Sequence, residues 1–162
     1  NRNNDGTLEN MTLIGSISNW DDNVSYTTGT GGNDPDPLAL GDTYEGGIIY
    51  FLDGTGEHGL LASPLDVTED TNWESAKNAC ESYTLEGNGD WRLPNISELE
   101  FLYDRRQYVG GFAEIAYWSS SEDGGDPSIA YGVFFGTDNN AGQTFPYFKT
   151  NSFQHSRAIR NF

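Results

Sequence analysis

The sequence is poor in cysteine and in basic residues, and it has no long apolar run. Cys80 is its single cysteine, which excludes a disulfide within the chain and any Cys-x-x-Cys metal or redox motif. Lysine and arginine number 8 against 25 aspartates and glutamates, so the formal net charge is -17. Such a chain repels polyphosphate, and nucleic acid is not an expected partner. Because a membrane-spanning helix needs about 20 predominantly apolar residues, membrane insertion is not expected either.

Aromatic residues and glycine are abundant instead. Phe, Tyr and Trp make up 14% of the chain, whereas disordered acidic chains have few aromatics. We therefore expect a folded domain with an aromatic-rich core. Twenty glycines and six prolines, together with many Asn and Asp residues, favour turns and irregular loops. These features predict short strands joined by loops, with few and short helices.

The composition changes near residue 40. Residues 1–40 are polar and include a Thr/Gly-rich stretch and an Asp-Pro-Asp-Pro repeat, which are typical of an extended arm or linker. One apolar segment in this arm, Met11 to Ile17, is a candidate strand that packs on this chain or on a neighbour. Residues 41–162 carry the apolar segments of a domain.

Two helices are predicted within residues 41–162. The first spans Thr71 to Tyr83 and opens with a capping box between Thr71 and Glu74. The second begins after Pro94, with Asn95 as the N-cap and Glu98 three residues later. The predicted strands are Gly47 to Leu52, Gly59 to Ala62, Tyr117 to Ser120, Ile129 to Phe135, Phe145 to Lys149, and Arg157 to Asn161.

Several motifs in order resemble those of the Lcl C-terminal domain family. They are GGIIYF, GLLASP, a helix with Trp73, GDWRLPNISELEFLY, YWSSSE and a terminal SRAIRNF, spread from about Gly41 to Phe162. The resemblance implies an α+β, C-type-lectin-like fold, related to the formylglycine-generating enzymes, whose first and last strands pair. It also implies an exported bacterial module, located at the cell surface, that binds glycans or proteins.

The residues of these motifs are expected to be structural. Trp91 and Trp118 would fill the core. Arg92 would fix a loop by hydrogen bonds to Glu122 or Asp90, and Ser119 would satisfy backbone groups. The full structural set is Trp73, Trp91, Arg92, Pro94, Trp118, Ser119 and Arg157.

Catalysis is not expected. The formylglycine-generating enzymes use a pair of cysteines, whereas Cys80 stands alone on the apolar stripe of the first helix, where a buried inert thiol is predicted. The two histidines, His58 and His155, lie in no recognisable nucleophile motif.

A structural calcium ion is the one cofactor for which the sequence offers ligands, because calcium prefers oxygen donors and the loops are acidic. None of the loops matches an EF-hand, and solvated turns are the favoured interpretation over a metal site. The candidate ligands are Asp53, Glu57, Asp123, Asp126 and Asp138.

A ligand-binding face is predicted between Gly136 and His155. If residues 145–155 form one strand, alternate side chains lie on one face and combine aromatic rings with polar groups. The opposing interpretation is that Tyr147 and Phe153 pack against the core. The candidate ligand contacts are Asn139, Asn140, Tyr147, Lys149, Asn151, Phe153 and His155.

Two hypotheses for function follow. The first is a non-catalytic extracellular adhesion module that recognises a glycan or protein ligand through this C-terminal face. The alternative is a structural subunit of a bacterial surface fibre or other extracellular assembly. In that case residues 1–40 pack on a neighbouring subunit, since a polar arm can add a strand to another domain.

Overall fold

Nine strands and three helices follow one another in residues 37–162, the part of the chain that the computed structural model describes. Most of the predicted arm, including the candidate strand Met11 to Ile17, lies outside these residues, and the self-association assigned to it stays a prediction. The elements are β1 (Thr43–Tyr44), β2 (Gly47–Leu52), β3 (Gly59–Ala62), β4 (Thr68–Thr71), α1 (Trp73–Ser82), α2 (Ile96–Asp104), α3 (Arg106–Val109), β5 (Ala116–Glu122), β6 (Ile129–Phe134), β7 (Thr144–Phe148), β8 (Gln154–Ser156) and β9 (Ile159–Asn161).

The strands form two sheets. The first has the order β1-β2-β3-β9, and the second has the order β4-β8-β5-β6-β7. Pairing is antiparallel except between β5 and β8, where Tyr117 lies opposite His155. The first and last strands lie in the same sheet, in which β9 pairs with β3 of the N-terminal hairpin. The predicted α+β class is therefore confirmed.

Two aromatic-rich clusters form the core of residues 37–162. Neighbouring residues of a strand point to opposite faces, so Ile49 and Tyr50 of β2 enter different clusters. One cluster contains three tryptophans, Trp73, Trp91 and Trp118, which are at most 4% exposed. The core positions predicted for Trp91 and Trp118 are confirmed.

The helix caps agree with the sequence at one helix and differ at the other. At α2 the predicted N-cap, Asn95, is confirmed: its side chain accepts the Glu98 amide while the Glu98 carboxylate accepts the Asn95 amide, which completes a capping box. At α1 the predicted Thr71 cap is wrong. Asn72 is the N-cap and accepts the Ser75 amide, because Thr71 ends β4 and its carbonyl accepts a hydrogen bond from Trp118 Nε1.

A third helix, α3, was not expected from the sequence. It has only four residues and follows α2 directly, with Arg105 as the link. Gly110 ends it with a φ of 71°, a conformation that favours glycine. The chain then leads through Gly111 and Phe112 toward β5.

Candidate functional site

The strand predicted from Phe145 to Lys149 corresponds to β7, but the single strand over residues 145–155 on which the predicted ligand-binding face depends does not form. β7 ends at Phe148, and β8 begins at Gln154 in a different place in the sheet. The Asn151 amide closes a turn on the Phe148 carbonyl at 2.9 Å, while the Lys149 carbonyl accepts the Trp73 amide at 3.0 Å. These bonds redirect the chain, so the structure does not place Asn151, Phe153 and His155 on one strand face with Tyr147 and Lys149.

Tyr147 and Lys149 both pack on tryptophans of the core. The Tyr147 ring meets the Trp118 ring edge-on, with centroids 5.8 Å apart. Lys149 Nζ lies 4.4 Å from the centroid of the Trp73 ring and forms an ion pair with Glu122. Lys149 is thus engaged by groups of the protein itself.

A shallow groove on the outer part of the second sheet brings two of the predicted ligand contacts together. It measures about 270 Å³ and is lined by Asn140 and Tyr147 with Phe134, Phe145 and Pro146. The three aromatic side chains are half-buried and Pro146 is exposed, so ring surface is available to a ligand. Phe145 lies in a strand that the sequence predicts but is not among the predicted ligand contacts, and the sequence predicts no binding role for Phe134.

The backbone of β6, β7 and the turn between them positions the residues that line the groove. In the β6–β7 ladder, Gly132 lies opposite Phe145, and a Cβ atom at Gly132 would lie 2.6 Å from the Tyr117 carbonyl oxygen. The hairpin that carries Asn140 turns at Gly142, whose φ is 77°. The Asn140 amide donates to Asp138 Oδ1 at 2.7 Å, while the Asn140 carboxamide forms no hydrogen bond to any residue in the 37–162 range. That carboxamide is therefore available to hydrogen-bond a ligand.

Asn139 and Phe153 lie outside the lining of this groove. The Asn139 carbonyl accepts a hydrogen bond from Gln143 Nε2, which braces the same hairpin. Phe153 is 70% exposed and Phe148 is 59% exposed, at either end of the turn between β7 and β8. Strict alternation along residues 145–155 predicts that Phe148 and Phe153 lie on opposite faces of one strand. Because β7 ends at Phe148, the alternation does not apply to the residues that follow it.

His155 belongs to a buried polar network. Its Nδ1 lies 2.8 Å from Asp66 Oδ2, which also accepts a hydrogen bond from the Tyr117 hydroxyl. Arg157 Nε donates to the other oxygen of Asp66 at 2.8 Å. His155 Nε2 has an exposed carboxylate, Asp70, 3.9 Å away. The network therefore joins β8 to the loop before β4, and the contacts of His155 are structural.

A second, larger groove of about 360 Å³ has different walls. Phe112 and Phe135 line it, but Phe135 is 4% exposed and its centroid lies 4.7 Å from that of Phe112. The Arg157 guanidinium also lies over the Phe112 ring, at 4.2 Å. The rings of Phe112 and Phe135 pack within the core, which leaves little ring surface exposed to a ligand.

Four of the five candidate calcium ligands are engaged by their own turns. Asp53 accepts the Thr55 hydroxyl and amide, and Asp138 accepts the Asn140 amide. Asp123 and Asp126 bind amides within the same acidic loop.

Hydrogen bonds lower the pKa of three of these carboxyl groups, and the largest contribution comes from the Thr55 hydroxyl at Asp53, the Tyr131 hydroxyl at Asp123 and the Ser128 hydroxyl at Asp126. Glu57 is exposed. No group of three or more His, Cys, Asp or Glu side chains suited to a metal ion occurs within the described range, and calcium stays a prediction.

The remaining motif residues are structural, with one correction. Arg92 pairs with both oxygens of Glu98 at 2.6 and 2.7 Å, instead of with Glu122 or Asp90. The sequence predicts Glu98 only as part of the helix cap. In the structure its carboxylate both accepts the Asn95 amide and pairs with Arg92. The Ser119 hydroxyl donates to the Tyr131 carbonyl, and Pro94 is buried.

Cys80 is fully buried, as predicted. Burial raises the pKa of its thiol to about 12. The nucleophilic thiolate is therefore scarce at neutral pH. No helix among the described residues is long and apolar enough to cross a membrane.

Comparison with known families agrees with the motif resemblance. A family model described as the Lcl C-terminal domain matches residues 55–160, which is more than half of the chain. The matched span includes every residue that lines the 270 Å³ groove. No curated protein matches the chain.

Proposed function

We propose that this chain, which belongs to the Lcl C-terminal domain family, is a non-catalytic module that binds a glycan at an extracellular surface. The glycan would lie in the groove of Phe134, Asn140, Phe145, Pro146 and Tyr147, hereafter the aromatic groove. One observation carries the proposal: half-buried rings and an exposed asparagine, whose carboxamide has no hydrogen-bond partner among residues 37–162, line the same shallow groove.

The shape and chemistry of the aromatic groove favour a sugar. Aromatic rings offer large contact area with little loss of side-chain entropy, and a nearby carboxamide supplies both a donor and acceptors. The groove is open and shallow, which suits a ligand that presents hydroxyl groups on one side and C–H groups on the other. It carries no charged side chain, so the ligand need not be ionic.

The chemistry elsewhere supports a binder over an enzyme. Burial keeps Cys80 in the thiol form, and His155 is paired with Asp66 in a structural network. Neither group faces the aromatic groove. The strong acidity of the chain accords with a solvated surface outside the cell, although it favours no particular ligand.

The test is binding of the purified full chain to a broad glycan array, with calcium and again with a chelator. Three alanine variants accompany it: Asn140→Ala and Phe145→Ala in the aromatic groove, and Phe153→Ala on the exposed turn. We expect binding that persists in the chelator, falls at least about tenfold in the two groove variants, and is unchanged in Phe153→Ala.

Each other result changes the conclusion. Loss of binding only in Phe153→Ala would place the ligand on the exposed turn. Loss of binding in the chelator would make calcium part of the site. Absence of binding to every glycan, by a chain with a native circular dichroism spectrum, would refute the glycan proposal.

A further inference from the structure

The outer edge of the second sheet is formed by β7, which pairs only with β6 among the described strands. In the β6–β7 ladder, the odd-numbered residues of β7 direct their backbone N–H and C=O groups toward β6. The Lys149 amide donates to the Ser128 carbonyl at 2.8 Å, and the Gln143 carbonyl accepts the Phe134 amide at 3.0 Å. In an antiparallel pair such bonded positions alternate with positions whose backbone groups point away.

The even-numbered residues therefore direct their backbone groups outward. They are Thr144, Pro146 and Phe148, which lie opposite Val133, Tyr131 and Ile129. Proline has no N–H group, so the central outward donor of this edge is missing. The Phe148 carbonyl is occupied by the Asn151 amide, which ends the edge at that side.

Apart from Pro146, β7 has the properties of a strand that adds to another sheet. Its sequence, Thr-Phe-Pro-Tyr-Phe, has no charged residue and three aromatic rings. The rings lie on both of its faces, since Phe145 and Tyr147 alternate with Phe148. An uncharged apolar edge whose outward backbone groups meet no partner strand within residues 37–162 is a template for pairing with a second copy of the chain.

The other sheet edges of residues 37–162 are poorer templates. β1 has only two residues, and β9 is bridged on its outer side by Arg92. β4 contains Glu69 and Asp70, its register shifts between Thr68 and Thr71, and Asp70 has a φ of 43°. Acidic side chains and irregular backbone both oppose pairing.

We propose that Pro146 keeps the β7 edge from pairing with a second copy of this chain, which leaves β7 free as a wall of the aromatic groove. In a symmetric antiparallel pair centred on residue 146, each copy lacks one N–H. The two opposing carbonyls would then lose their donors together.

The experiment measures self-association of the full chain and of Pro146→Val by sedimentation equilibrium over a wide concentration range. Valine restores the N–H and has high strand propensity. Two restored hydrogen bonds predict an association constant about thirtyfold above that of the unsubstituted chain. Pro127→Val is the matched control, since Pro127 is exposed in the turn before β6 and lies on no sheet edge.

An unchanged association constant in a natively folded Pro146→Val would overturn the proposal, as would an equal increase in Pro127→Val. Hydrogen exchange on the unsubstituted chain gives a second test that does not depend on the variant. The amides of Thr144 and Phe148 should exchange fast and those of Tyr147 and Lys149 slowly, at every concentration. Protection of Thr144 and Phe148 that grows with concentration would show that the edge pairs despite Pro146.

Discussion

Replacing Arg157 by methionine tests the polar network that joins the C-terminal strands to two distant loops. Arg157 is fully buried. Its Nη1 donates to the carbonyls of Ser63 and Pro64 at 2.9 and 2.8 Å, and its Nη2 donates to the Gly111 carbonyl at 2.7 Å. Methionine keeps much of the side-chain volume and removes every one of these donors, together with the charge that faces Asp66.

The loss of stability in Arg157→Met depends on the cost of leaving Asp66 buried without its cation. Asp66 keeps its bonds to Tyr117 and His155, but its carboxylate, 9% exposed, loses the cation that balances it. Removing one partner of a buried ion pair costs about 3 to 5 kcal/mol. Because domains are stable by only about 5 to 15 kcal/mol, Arg157→Met should lose roughly a fifth or more of the free energy of unfolding.

Urea unfolding, followed by tryptophan fluorescence and far-ultraviolet circular dichroism, measures the loss. Arg160→Met is the control, because Arg160 is also ion-paired but its two partners, Glu45 and Asp90, are 39% and 64% exposed. Solvent screens such pairs, so this variant should cost less than about 1 kcal/mol. If Arg157→Met is within about 1 kcal/mol of the unsubstituted chain, the network does not stabilise the fold as argued.

Two further predictions concern Glu98 and Cys80. Burial raises the pKa of Glu98, but hydrogen bonds from Arg92 and from the Asn95 amide outweigh it and hold the pKa below its ordinary value. The carboxylate therefore stabilises the fold above the unfolded-state pKa of about 4.3, and this stability is lost as the pH falls through the lower folded-state pKa. Glu98→Gln should cost about 1 kcal/mol at pH 7 and progressively less in acid, whereas a pH-independent difference in urea titrations would contradict this account. The Cys80 thiol should react with a disulfide reagent only as fast as the domain opens, and rapid labelling in native buffer would show that it is accessible.

Much of the local structure could be predicted from the sequence, because it depends on residues close together in the chain. The α2 cap needs only Asn95 and Glu98, three positions apart, and Asn95 is the N-cap as predicted. The core positions of Trp91 and Trp118 followed from the size and apolarity of their rings. The motifs likewise gave the α+β class and the family.

The tertiary structure decided what depends on distant residues. The N-cap of α1 is Asn72 and not the predicted Thr71, because the Thr71 carbonyl accepts a hydrogen bond from Trp118, 47 residues away. The alternating pattern of residues 145–155 continues past the end of β7 at Phe148, where the Lys149 carbonyl accepts a hydrogen bond from the Trp73 amide and the chain turns away.

The candidate site depends on the same long-range contacts. Asn140 and Tyr147 come together because the β6–β7 hairpin holds them over one groove, and Phe134 joins them through its place in β6. Alternation along one strand specifies which side chains share a face, but only the pairing of strands specifies where that face ends and which residues of other segments complete it.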